Sequence, residues 1–222
     1  MKLVRYGAIG AEKPGLIDAE GILRDLSDVV GDISGATLSD AGLDLIRSVD
    51  PATLPQVDGD VRLGPCVGGT GKIVAIGLNY SDHAAEAGMA VPPEPIMFMK
   101  ATSSISGPND PVIIPRGAEK TDWEVELTIV IGTRAKYVSE GDAMNHVAGF
   151  CVMNDVSERA YQIERQGQWV KGKSADTFGP IGPWLVTRDE IDDPQALAMD
   201  LSVNGQIRQK GTTATMVYGV AH

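Results

Sequence analysis

A chain of 222 residues, 43% hydrophobic and 22% charged, has the make-up of an ordinary globular protein, which excludes collagen, coiled coil and wholesale disorder. It carries 19 basic against 30 acidic residues, a net charge of −11, and no Lys/Arg cluster that would grip nucleic acid or an anionic membrane. No apolar run reaches the roughly 18 residues that a membrane span requires.

The start, MKLVRYGAIG, lacks the apolar core of a signal peptide. Two cysteines without CxxC spacing, Cys66 and Cys151, read as buried free thiols. Both features lead us to expect a cytoplasmic protein. Histidines number only three (His83, His146, His222), which leaves little room for a zinc site.

LVRYG, GLID and ILRDLS, separated by turn residues, predict a β-meander. Leu38, Leu43, Leu45 and Ile46 have the spacing of a short amphipathic helix over residues 37–48. From Asp50 to Gly71 the chain is rich in Pro and Gly, and we place a domain boundary there. A small β-rich unit over 1–65 is expected to precede a larger one over 66–222.

KIVAIGL predicts a buried strand, and NYSDHAAEAGM a short helix. Pro92, Pro93 and Pro95 force an extended path into IMFMK. DWEVELTIVIG and VAGFCVMND predict strands, with SEGDAMNHV helical between them. VSERAYQIERQG predicts a helix ending at Gly167, KGKSADTFGPIGPW a loop, and LAMDLSVNGQIRQKG a hairpin turning at Asn204-Gly205. Thr212, Thr213 and Thr215 predict a helix start, so the chain is expected to stop inside an element.

Several side chains have chemical potential. Glu124 and Glu126, two apart in a strand, share one face. They are either a solvated strand face or, given their apolar flanks, a carboxylate pair that a divalent cation would neutralise. Asp155 is either a helix N-cap or a third oxygen ligand of that cation, a set suited to magnesium or manganese. His83 and Glu86, three apart on a predicted helix, are a surface pair or a general base with its orienting carboxylate. Arg159 with Gln162, and Lys171 with Lys173, read as solvated polar groups or site residues. The glycine-rich GGTG at 68–71 and the GKS at 172–174 lack the context of a phosphate loop.

The order of these segments is more specific than any one of them. NYSDHAAE, PPEPIMFMK, DWEVEL, NDVSERAYQ, GKSADTFGPIGPW and VNG follow one another. Over residues 60–222 this order resembles the fumarylacetoacetate hydrolase family, in its bacterial branch of ureidoglycolate lyases and 2-hydroxyhepta-2,4-diene-1,7-dioate isomerases. The resemblance implies an α+β fold, a mixed β-sheet roll behind a small β-rich leader, and a homodimer. It also implies that Glu124, Glu126 and Asp155 bind Mg2+ or Mn2+, and that His83 with Glu86 moves a proton. Lys173 would stabilise an enolate or oxyanion, and Arg159 and Gln162 would contact a small carboxylate substrate.

The implied reaction is hydrolytic or lyase cleavage of a C–C or C–N bond in a 2-oxo or 2-hydroxy acid. Keto–enol isomerisation or decarboxylation on the same site is the alternative. Thr128 and Asp200 depart from the family pattern, and members usually continue several dozen residues beyond VYGVAH. A catalytically silent, oligomerising fragment is therefore a third expectation.

Overall fold

The computed structural model describes every residue of 1–222 except Ala87. Its first strands, β1 (Lys2–Tyr6), β2 (Lys13–Ile17) and β3 (Leu23–Asp25), form the expected antiparallel meander. Helix α1 (Asp40–Arg47) starts where Ser39 Oγ accepts the Gly42 amide, and it turns Leu43 and Ile46 inward. A two-stranded antiparallel sheet follows, β4 (Ile73–Gly77) with β5 (Ile96–Lys100), and helix α2 (Ser81–Glu86) lies in the connection between them.

The remaining elements are β6 (Ile105–Ser106), β7 (Thr121–Asp122), β8 (Val125–Ile131), α3 (Glu140–Ala143), β9 (Val147–Asn154), β10 (Ser157–Glu158), α4 (Val170–Lys173), β11 (Gly179–Thr187), β12 (Ala198–Val203) and β13 (Gln206–Thr212). The main sheet runs β3-β2-β1-β11-β9-β8. β6 joins β11 in parallel while the other pairs are antiparallel, so the sheet is mixed and the fold α+β.

β1 pairs directly with β11, so the meander is an extension of the sheet that carries β8 and β9. One core spans the whole, from Leu3 and Leu16 through Leu43 and Cys66 to Cys151, Ile181 and Leu185. Both cysteines are buried in it as free thiols. Among the described residues no helix is long and apolar enough to cross a membrane. The Asn204-Gly205 turn has φ of 50° and 76°, the left-handed pair of a type I′ hairpin.

Two expected helices do not form. After Asp155 the chain makes the short strand β10, which pairs with β7, and then a wide π-type turn over Ala160–Glu164. Pairing with β7 in a separate two-stranded sheet overrides the helical periodicity of VSERAYQIERQG. At the end of the chain only a 3-10 turn forms, over Thr213–Thr215. Beyond it the backbone turns to Asn79 instead, with Val217 N donating to Asn79 O at 2.7 Å.

Candidate active site

The register of β8 against β9 assembles the acidic residues. Val125 lies opposite Asn154 and Glu126 opposite Met153. Side chains alternate along a strand, so Glu124, Glu126, Met153 and Asp155 fall on one face at neighbouring positions. Glu124 itself precedes β8, and its main chain is fastened there: Asp155 N donates to Glu124 O at 2.8 Å, and Glu124 N to Asn154 Oδ1 at 3.1 Å. The face opens into a cavity of about 2080 Å³.

Asp155 is no helix cap. It is 5% exposed, and each carboxylate oxygen takes a different ammonium: Lys100 Nζ lies 2.6 Å from Oδ1 and Lys173 Nζ 2.7 Å from Oδ2. Burial alone would raise this carboxyl, but the two ammonium groups outweigh it and hold Asp155 below the usual carboxylate range. The Lys173 ammonium also reaches Glu124 Oε2 at 2.7 Å. Lys173 is neither in a loop nor solvated. It ends the single turn α4 and is 1% exposed. That turn packs so closely that a Cβ on Gly172 would come within 2.4 Å of the Glu158 carbonyl oxygen.

Glu126 is different. Burial first, then the charges of Glu124 and Asp155, push its carboxyl up to about 8, with Lys173 opposing. Among the described residues it has no ion-pair partner of its own. Arg159 stands at the other end of the cluster, with Nη1 2.6 Å from Glu124 Oε1 and Nη2 2.8 Å from Asp122 Oδ2. Gln162, buried, accepts from Arg159 Nη1 at 3.0 Å.

The structure thus gathers Glu124, Glu126, Asp155, Arg159, Gln162 and Lys173 in one place. His83 and Glu86 line the same cavity from α2, both exposed, and their side chains make no hydrogen bond to each other among the described residues. Lys171 is exposed and donates to the Arg165 carbonyl at 3.2 Å.

Two members of the cluster, Lys100 and Asp122, were not singled out from the sequence. Asp122 continues the alternation of Glu124 and Glu126, a signal that was legible. Lys100 had none beyond closing the apolar run IMFMK.

Residues 72–222 match the fumarylacetoacetate (FAA) hydrolase C-terminal family. A protein of Burkholderia ambifaria whose name, hydrolase, is itself provisional is 63% identical over 221 residues, spanning all of this chain and 78% of that protein. The chain belongs to the fumarylacetoacetate hydrolase family.

Among solved structures of that family, the fumarylacetoacetate hydrolase of Exiguobacterium antarcticum superposes with a TM-score of 0.85 at 35% identity, over the whole chain and 78% of its own. Maleylpyruvate hydrolase of a Sphingobium species, in complex with manganese(II) and pyruvate, gives 0.81 at 27% identity, over the whole chain and 80% of its own. The 5-carboxymethyl-2-hydroxymuconate delta-isomerase of Mycobacterium smegmatis gives 0.73 at 29% identity, over the whole chain and 78% of its own. Hydrolases and isomerases share this architecture, and this chain is an enzyme of hydrolase or isomerase type.

The oxygen donors suit the divalent metal that the fold implies. Glu124, Glu126 and Asp155 supply only hard oxygen ligands on one face of the cavity. In this conformation no three His, Cys, Asp or Glu side chains among the described residues converge as ligands of one ion. The Lys173 ammonium bridges Glu124 and Asp155 instead.

Proposed function

We propose that this chain is a divalent-metal-dependent enzyme that cleaves a C–C or C–N bond in a small 2-oxo or 2-hydroxy acid. The observation that carries the reading is that Glu124, Glu126 and Asp155 line one cavity, with Lys173 and Arg159 paired to its carboxylates. Mg2+ or Mn2+ would be held by the three carboxylates and would supply Lewis-acid stabilisation of the substrate's carboxylate and keto oxygens. The manganese and pyruvate held by the Sphingobium hydrolase support this choice of ligands.

The remaining chemistry belongs to the chain's own groups. Lys173 donates a proton in a hydrogen bond to the oxyanion that develops as the bond breaks. Arg159, its guanidinium fixed by Asp122, offers its remaining Nη2 proton and its charge to a substrate carboxylate. Gln162 keeps Arg159 from swinging away. His83, with Glu86 one helical turn on, takes a proton from the attacking water. A homodimer and an anionic small-molecule substrate are part of the same reading.

The test is calorimetric binding of oxalate, a mimic of the enolpyruvate product, with and without Mg2+. Magnesium-dependent binding that Glu124→Ala abolishes is the expected result. Absence of binding in both conditions would overturn the reading and favour a silent, oligomerising chain.

A second reading, keto–enol isomerisation or decarboxylation, draws on the isomerase neighbour and on the lack of a hydrogen bond between His83 and Glu86 among the described residues. Solvent oxygen-18 separates the two. Hydrolysis leaves the label in a product carboxylate, whereas isomerisation does not.

A further inference from the structure

Lys100 has an environment that filling space does not explain. It ends β5, is 2% exposed and sits among the largest fully buried side chains of the protein. An ammonium has three protons, and here each has an acceptor: Asp155 Oδ1 at 2.6 Å, the Val156 carbonyl at 3.3 Å and the Lys173 carbonyl. A position that only had to be filled between β5, β9 and α4 is served at lower cost by Leu or Met, because an ammonium must shed its water.

These contacts close a ring. Lys100 holds the Asp155 side chain and the Lys173 main chain, and the Lys173 side chain returns to Asp155 Oδ2 at 2.7 Å. The two oxygens of Asp155 are thereby assigned to different partners, which fixes the plane of the carboxylate. The turn carrying Lys173 has four residues and no side-chain cap at its start, so it has little rigidity of its own. A further tie lies next door, where Ala101 N, just after β5, donates to Ser174 Oγ at 2.9 Å.

We propose that Lys100 is a positioning residue of the active site, locking Asp155 and Lys173 into one unit so that Asp155 Oδ2 and the Lys173 ammonium face the cavity at a set spacing. The proposal rests on the metal-dependent reading above. It assigns Lys100 no contact with substrate.

The sign of one measurement tests it. Lys100→Met removes a positive charge beside a metal ligand. If charge were all that Lys100 contributed, Mn2+ would bind this variant more tightly. If Lys100 positions Asp155, Mn2+ affinity falls by roughly 10- to 100-fold, as when an outer partner of a ligand is lost.

Manganese EPR titration of the unaltered protein, Lys100→Met and Glu124→Gln gives the answer. Binding lost in Glu124→Gln and weakened in Lys100→Met is expected. Binding lost in Glu124→Gln but unchanged or tightened in Lys100→Met overturns the role of Lys100 and leaves the metal reading intact. No binding to the unaltered protein overturns both.

Should Lys100→Met fail to fold, nitrogen-15 NMR of lysine side chains in the unaltered protein decides. An ammonium enclosed by three acceptors gives a slowly exchanging signal that shifts on Mg2+ addition. If every lysine ammonium exchanges as fast as a surface one, the enclosed ring does not exist and the proposal falls.

Discussion

The ammonium of Lys173 lies 2.7 Å from Asp155 Oδ2, and through the same nitrogen it reaches Glu124 Oε2 at 2.7 Å. Both carboxylates are among those that would hold a divalent ion. Lysine and metal would draw on the same oxygens. Lys173→Met is therefore expected to bind Mn2+ more tightly, by roughly tenfold, since a competing charge has gone. EPR titration measures this. Weaker binding would mean that Lys173 aids the metal rather than displacing it.

Arg159 owes its orientation to Asp122, which takes both Nε at 3.0 Å and Nη2 at 2.8 Å. Asp122→Asn weakens that pairing without touching the three carboxylates. Oxalate affinity in the presence of Mg2+ should fall about tenfold, consistent with losing part of a charge-assisted contact, while Mn2+ affinity alone stays put. Calorimetry with each ligand separates the two. A Mn2+ affinity that falls in step with oxalate would place Asp122 in the metal site instead.

Tyr218 ties down both ends of the segment bearing His83 and Glu86. The Asn79 side-chain amide exchanges two hydrogen bonds with the Tyr218 main chain, each 2.9 Å, and the Tyr218 hydroxyl donates to the Pro92 carbonyl at 2.7 Å. Tyr218→Phe removes only the second tie. Hydrogen exchange over residues 88–91 should speed up by about fivefold, the worth of roughly 1 kcal/mol for one hydrogen bond. Exchange at Asn79 should hold steady. Acceleration across the whole sheet would show global rather than local loosening.

Acid stability has a local source. Arg62 pairs with Asp110 at 2.6 Å and with Glu12 at 2.9 Å, joining the meander to the start of the second half. The hydrogen bond from Arg62 holds Asp110 below the usual range, and against the effect of burial Arg62 and Arg5 do the same for Glu12. Folded-state values below the unfolded ones of about 4 mean stability present above that pH and lost as pH falls through the folded values. The urea midpoint should drop steeply from pH 5 to pH 3 (set as roughly one unit either side of the unfolded values). Arg62→Met should flatten that drop by starting lower at pH 5, and an equally steep drop in the variant would assign it to other carboxylates.

What the sequence disclosed follows from how local each signal was. Glu124 and Glu126 share a face because period 2 is a property of the strand itself, and Asp155 joins them because β9 pairs in register. The helix expected over residues 156–167 failed where Ser157 and Glu158 found Asp122 and Thr121, a pairing across 35 residues that no window reveals. Lys100 was passed over for the same reason. A lysine at the end of an apolar strand reads as solvated, and only the arrival of Asp155, Val156 and Lys173 around it makes it a buried residue.

Strand β1 has consequences for how the protein is made. Leu3 lies opposite Leu185, so one neighbour of the first strand is far downstream in the sequence. Until that neighbour pairs, β1 has one hydrogen-bonding edge unpaired and apolar side chains on both faces, Leu3 on one and Val4 on the other. The meander pairs within itself through short turns, but the main sheet is completed only when β11 joins β1. Contacts this distant in sequence slow folding. The open edge of β1 is therefore the place where an unfinished fold would pair with another chain, and closing it depends on a contact made across most of the sequence.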